Sequence, residues 1–285
     1  MENLEFLIKK LGQNIKKFKN PYFLHEAYEI FTYKSPNGYK FIHYITATAL
    51  LMFVFFIGFL IFAFLSCFGV VSSLNKINPI TFTFLFLSIL IVNIFLSPFL
   101  HGYLLMVYKD VYGELKSDLS DFFFFIHSFD KNKKNYLVEG YIFSFVSLLI
   151  LVISFIVAIG IINILMKFIP NLPIVSFIIA LTLKIVTYWI VFSFSLPLVI
   201  ISVFYFIQEN RIYFSTNIKD IDMNLIGSIR NVFGRLIRII SLYFSNLRSF
   251  VFIGSLMSIG AISIIGNLVT FPMGSIMLAI VLRKK

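Results

Sequence analysis

Four uninterrupted apolar runs dominate this chain: Phe41–Val71, Ile80–Tyr108, Tyr141–Met166 and Ile174–Ile207. Each is longer than the roughly 20 residues an α-helix needs to cross a bilayer. The third and fourth are separated only by a short turn holding Pro170, Asn171 and Pro173. A last stretch, Ser249–Leu282, has room for two short spans, with Gly266-Asn267 as the turn signal between them. Charged residues make up 13% of the chain, against about 25% in a soluble domain, and the mean hydropathy is +0.94. Such a chain cannot cover a water-facing surface. It predicts an all-α fold, a polytopic membrane helical bundle of six transmembrane helices.

Charge sets the orientation. Lys and Arg collect on the cytoplasmic side of short loops. Residues 1–40, 109–140, 208–248 and the C-terminus together hold all but three of the 24 basic residues, the exceptions being Lys76, Lys167 and Lys184. All 13 acidic residues fall in the same segments. Six spans with both termini cytoplasmic, in the cell (inner) membrane, fit this distribution. The first forty residues are polar and Lys-rich, without the apolar core of a signal peptide. The single cysteine, Cys67, forms no internal disulfide and leaves the redox compartment open. The net charge of +11 is accounted for by basic loops facing anionic lipid, so nucleic acid is not an expected partner.

An internal pattern divides the spans into three units. Pro98, Pro197 and Pro272 each lie in an even-numbered span, eleven or twelve residues before Lys109, Glu209 and Arg283 respectively. At 1.5 Å per residue each proline sits about 17 Å from the cytoplasmic end, near the middle of the bilayer. Proline removes a backbone donor, so each helix is expected to bend there. An amphipathic stretch precedes each odd-numbered span. Phe23, Leu24, Ala27, Ile30 and Phe31 share the first apolar face. Leu119, Phe122, Phe123, Ile126 and Phe129 share the second. In the third, Leu225, Ile226, Ile229, Val232, Phe233, Leu236, Ile237 and Ile240 oppose Arg230, Asn231, Arg235 and Arg238. Such helices lie in the membrane interface. The expected division is a basic tail 1–20, repeat one 21–110, repeat two 111–210 and a compressed repeat three 211–285, all within one integral membrane domain.

Two stretches carry a family resemblance. Pro98-Phe-Leu-His-Gly-Tyr is followed by Ser117-Asp-Leu-Ser-Asp-Phe-Phe, and Ser195-Leu-Pro-Leu-Val-Ile by Ile226-Gly-Ser-Ile-Arg-Asn-Val-Phe. These resemble the six-span membrane domain fused to some bacterial glycerophosphodiester phosphodiesterases, and its stand-alone membrane-protein relatives. The resemblance implies a polytopic bundle over residues 20–282 and supplies no chemistry, because the phosphodiesterase barrel and its metal-binding carboxylates have no counterpart here.

Candidate chemistry is sparse. His25, His43, His101 and His127 are scattered, and in His25-Glu26-Ala27-Tyr28-Glu29 a Glu stands where a zinc helix needs its second His. No metal or other cofactor is expected. His101 follows Pro98 and is placed to satisfy a carbonyl freed at the bend. Asn93 and Asn163 are the other polar residues singled out within spans, expected to bond between helices. Lys184 can snorkel to the headgroups. Arg248 belongs at the interface if the fifth span starts near Ser249 and inside it if near Ser241, and the first is cheaper. The predicted spans contain no Asp or Glu, which disfavours ion-coupled transport. Neither a phosphate-binding Gly-rich loop nor a serine nucleophile motif is present. The leading expectation is a non-enzymatic membrane component that interacts with lipid, through Arg230, Arg235 and Arg238, or with other membrane proteins. The alternative is a permease or channel for a small solute, not carboxylate-coupled, lined by Asn93, His101, Asn163 and the prolines. A lipid-modifying enzyme ranks third, for want of a catalytic constellation.

Overall fold

A computed structural model describes residues 22–35, 38–71, 79–113, 117–123, 134–167, 173–209, 225–261 and 263–283. The basic tail 1–20, the connections holding Lys76 and Asn171, and the stretch that includes Ile126, His127 and Phe129 lie outside them. The elements are α1 (Tyr22–Thr32), β1 (Lys34–Ser35), β2 (Gly38–Tyr39), α2 (Lys40–Val71), α3 (Pro79–Tyr112), α4 (Leu119–Phe122), α5 (Lys134–Met166), α6 (Pro173–Glu209), α7 (Leu225–Ser245), α8 (Leu247–Gly260) and α9 (Ile264–Arg283). Among the described residues the fold is helical apart from one antiparallel pair of two-residue strands, in which Gly38 takes φ 121°. That region is largely closed to residues with a Cβ, so glycine is the residue that turns the chain from α1 into α2.

Five helices are long and apolar enough to cross a membrane, and a sixth crossing follows if the bent pair α7–α8 is counted. Their outward surfaces confirm the solvent. Phe53, Phe56, Phe59 and Phe64 of α2, Ile153, Ile156 and Ile164 of α5, and Phe177, Ile178 and Ile185 of α6 are all more than half exposed. In water that surface would cost far more than a fold of this size can spare; in lipid it costs nothing.

Consecutive helices pair as hairpins: α2 with α3, α5 with α6, and α8 with α9. The second helix of each hairpin turns inward, so that α3, α6 and α9 all touch one another. Tyr103, Met106 and Val107 of α3, Val203 and Phe206 of α6, and Ile276 and Ile280 of α9 are buried there. The first helix of each hairpin sits outside and bridges two inner ones. α2 packs on α3 and α9, α5 on α6 and α3, and α8 on α9 and α6. The short amphipathic helices lie against inner helices: α1 on α9, α4 on α3, α7 on α6.

Two boundaries, at the last turn and at the end of α7, differ from expectation. The turn between the last two spans is at Ala261–Ser263, and Gly266-Asn267 belongs to the first turn of α9. Ser263 explains the shift: its Oγ accepts the Gly266 N–H and its carbonyl the Asn267 N–H, which caps the new helix. The second amphipathic helix is described only over Leu119–Phe122, opened by a capping box between Asp118 and Asp121. The third runs on to Ser245, where the chain bends by 89° into α8. Asn246 makes the corner, its side-chain amide donating to the Leu242 carbonyl.

The prolines lie inside α3, α6 and α9, and each helix continues through. At Pro197 the surroundings show how. A proline at this position leaves the Ser193 carbonyl without its helical donor and crowds the turn around it. The backbone of Gly254 in α8 lies directly on Ser193, so close that a methyl group there would overlap its carbonyl oxygen and the Pro197 ring. The Tyr243 hydroxyl donates to the neighbouring Phe194 carbonyl at 2.8 Å. The close Gly254 backbone and the Tyr243 hydroxyl thus pack α7 and α8 around the break. Gly254→Ala should therefore destabilise the bundle by about 1–3 kcal/mol through overpacking. Gly160→Ala, where a Cβ meets nothing, should be neutral or slightly stabilising, and thermal unfolding of both variants in one detergent makes the comparison.

Candidate functional site: a buried ion pair at the basic end

Lys40 is the first residue of α2 and Asp110 lies two residues before the end of α3, so the α2–α3 hairpin brings them together. Lys40 is 1% exposed, and its side chain is enclosed. The Lys40 ammonium donates to Asp110 Oδ1 at 3.0 Å, to Ser117 Oγ at 3.0 Å and to the Ser117 carbonyl. The other carboxylate oxygen of Asp110 accepts from the Tyr44 hydroxyl at 2.8 Å and from Ser117 Oγ at 2.6 Å. The Ser117 N–H completes the set on Oδ1 at 3.0 Å. All three ammonium protons and both carboxylate oxygens are engaged, which a dehydrated pair requires if it is to persist.

The pair clamps the segment leading into α4. Phe122, the last residue of α4, then rests its carbonyl against Gly102 of α3, at a spot where any side chain would collide. Lys109, the neighbour of Asp110, forms a salt bridge with Asp121 of α4. A second junction of the same kind stands at α9. Arg283 forms a salt bridge with Glu26 of α1 and donates from Nη1 to the Val111 carbonyl at 2.8 Å. The ends of α3 and α9 are thereby tied side by side.

Asp110 lies just past the expected span, which stops at Tyr108: the apolar helix runs on to Tyr112 and so carries a buried carboxylate near its end. The signal was present in the sequence: Leu104, Val107, Tyr108, Val111 and Tyr112 continue the helical spacing past Lys109. Lys40 was equally overlooked, since as a residue flanking a span it reads as an interfacial anchor.

The predicted intramembrane residues divide. Asn93, Ser97 and His101 share one face of α3 and meet the start of α5. The Asn93 amide donates to the Tyr141 carbonyl at 3.0 Å, and Ser97 Oγ to Ser144 Oγ at 2.9 Å. His101 Nδ1 lies 2.8 Å from the Ser97 carbonyl and 3.3 Å from Ser144 Oγ. The carbonyl that Pro98 frees belongs to Ile94, so the bond from His101 to the Ser97 carbonyl goes elsewhere than expected. Asn163 does not join this seam; it is exposed on the outside of α5. Pro197 and Pro272 are buried and Pro98 half-buried, on separate inner helices. Arg230, Arg235 and Arg238 lie on α7, Arg238 exposed and Arg235 half-buried. Lys184 is exposed on α6, and Arg248 is exposed just past the α7–α8 bend. His25 pairs with Glu29 at 3.2 Å on the exposed side of α1. Among the described residues no three of His, Cys, Asp and Glu are grouped to hold a metal ion. No protein-family model, curated protein or solved structure matches the chain.

Because both charges are dehydrated, removing one strands the other. Lys40→Met or Asp110→Asn alone should cost about 3–5 kcal/mol, whereas the Lys40→Met/Asp110→Leu double variant should recover most of it. Thermal unfolding of the three variants reads out the non-additivity.

Proposed function

We propose that this chain is a non-enzymatic integral membrane component that engages anionic lipid, and through it partner membrane proteins, at the end of the bundle where α1, α4 and α7 gather. The observation that carries this reading is the divided surface of α7. Leu236, Ile239 and Tyr243 are buried against the bundle, while Ile237 is 71% and Phe244 67% exposed. Arg238 is exposed beside them, and no acidic residue occurs between Leu225 and Gly260. One edge of the helix packs on protein; the other offers apolar side chains and positive charge together, as an interfacial helix does. The concentration of basic segments supports a cytoplasmic setting for this end in the cell membrane.

Three repeated units fit the same picture. Each amphipathic helix lies on the inner helix of the preceding unit, and each outer helix bridges its own inner helix and the preceding one, with the third unit closing on the first. Lys109 and Arg283 both follow their prolines by eleven residues, and both pair with an acidic residue of the next amphipathic helix. This arrangement is compatible with the six-span family that the proline motifs resemble.

The second reading, a permease for a small solute that is not carboxylate-coupled, draws on the Asn93–Ser97–His101–Ser144 seam. The filled centre between α3, α6 and α9 weighs against it.

Native mass spectrometry of the full chain from mild detergent separates the two. Anionic phospholipid should be retained, and Arg238→Gln should weaken its binding about fivefold at low salt, the equivalent of about 1 kcal/mol for one arginine at an anionic surface. Indifference to lipid charge, together with solute flux into proteoliposomes that Ser144→Ala abolishes, would replace this reading with the permease.

A further inference from the structure

The three hairpins are of unequal height. α3 has 34 residues and α6 has 37, but α9 has only 20 and its partner α8 only 14. Their lower ends are level, since Arg283 of α9 reaches the Val111 carbonyl of α3, and Phe204 of α6 lies against Tyr108 and Tyr112. At 1.5 Å per residue the α8–α9 hairpin therefore stops about 20 Å short of the other two.

The face left bare can be followed along α6. Gly254 of α8 covers Ser193. Trp189, Ile185, Thr182 and Ile178 continue the same face at helical spacing, and all are exposed. α8 ends six residues beyond Gly254, about 9 Å higher, whereas α6 continues for another twenty residues above Ser193. Across the gap α3 behaves alike. It is buried from His101 to Val107 but exposes Leu87 and Leu90 at the height where α9 has already stopped. On the other flank α2 exposes Phe56, Phe59 and Phe64. Lys184 is the sole charge on α6 before Glu209 at its lower end, and α3 has none before Lys109.

We propose that the α8–α9 hairpin ends inside the leaflet farther from the basic end, and that acyl chains of membrane lipid fill the notch above it, between α6 and α2. The apolar upper halves of α3 and α6 demand a surrounding of hydrocarbon, and the hydrocarbon of one leaflet is about 15 Å deep. That depth is close to the height of bare helix. The opposing arrangement has α9, about 30 Å long, span the hydrocarbon alone. It would lift the tips of the longer hairpins, with Phe177 and Ile178, into water. Irregular backbone at membrane depth persists where its polar groups are satisfied by protein, and the Ser263 cap supplies this at the Ala261–Ser263 turn. The inference rests on the membrane bundle and not on the function proposed above.

The chain carries its own probe. Trp189 is the only tryptophan, 39% exposed. It precedes Pro197 by eight residues, as Ile264 at the start of α9 precedes Pro272, and so marks the height of the turn. The full-length protein is reconstituted into phosphatidylcholine vesicles brominated either near the headgroup or near the middle of the chain. Mid-chain bromines should quench Trp189 at least twofold more strongly. In a Cys67→Ala background, Ser263→Cys should resist a membrane-impermeant maleimide that labels Asn171→Cys. Strongest quenching from bromines near the headgroup, with Ser263→Cys labelled as fast as Asn171→Cys, would overturn the proposal in favour of a hairpin reaching the surface. Protection of Ser263→Cys without quenching at any depth would overturn it in favour of a second copy of the chain in the notch. Trp189 quenching is read on the unaltered protein, so a misfolded cysteine variant leaves the decision intact.

Discussion

In hydrocarbon, helices gain nothing by hiding apolar side chains from one another, because lipid is as good a neighbour. What holds this bundle must therefore be contacts lipid cannot imitate: backbone against backbone, and polar group against polar group. The glycines show the first kind. Gly102 meets the Phe122 carbonyl, Gly254 the Ser193 carbonyl, Gly260 the Thr270 side chain and Gly274 the Met257 side chain. Each lets two elements approach to a distance that a methyl group forbids. These four contacts fall at α3–α4, α8–α6 and twice at α8–α9, so the least extensive hairpin is also the one held by the closest packing.

Polar contacts are sorted by depth. Within the spans they are neutral and local: Ser97 with Ser144, Asn93 with a carbonyl, and serines and threonines bonded to carbonyls one turn back. The ion pairs of the described residues gather toward the basic end, and there the degree of burial decides their worth. Lys109–Asp121 and Arg283–Glu26 are partly exposed and contribute roughly 0–1 kcal/mol each as ion pairs. Lys40–Asp110 is sealed, so its contribution is specificity more than stability: it dictates where Ser117 must stand, and so where α4 begins.

The spans and the faces of α1 and α7 were legible because they rest on periodicity, which is a property of consecutive residues. Phe23, Ala27, Ile30 and Phe31 are buried as their spacing required. What covers a face is not periodic information. The stripe of α7 was legible as one surface, yet the fold splits it, burying Leu236 and exposing Ile237 and Ile240, while Ile239, outside the stripe, is buried. Asn163 failed for a related reason: polarity within a span says that a side chain wants a partner, not that the helix turns it inward. The Lys40–Asp110 pair joins residues 70 apart, and only the closing of a hairpin makes them neighbours. Asp110 itself was withheld by a boundary error of one helical turn, the commonest error at helix ends. The Gly266-Asn267 signal misled because glycine near a helix start is tolerated when another residue caps, and Ser263 does so three residues earlier.

The 89° corner at Asn246 connects these themes. A helix lying along the interface and a helix entering the membrane cannot share one straight axis, so the chain must break where the two meet. The break leaves carbonyls at the end of α7 without their helical donors. Asn246 returns its amide to Leu242, and Tyr243, one turn before the corner, spends its hydroxyl on Phe194 beside the Pro197 break. One corner thus closes the end of α7 and ties it to α6 beside the Pro197 break. That coupling fixes α7 to α6 at the level where Gly254 also docks. It leaves the outer edge of α7, with Arg238, Ile237 and Phe244, as the part of this corner free to face lipid rather than protein.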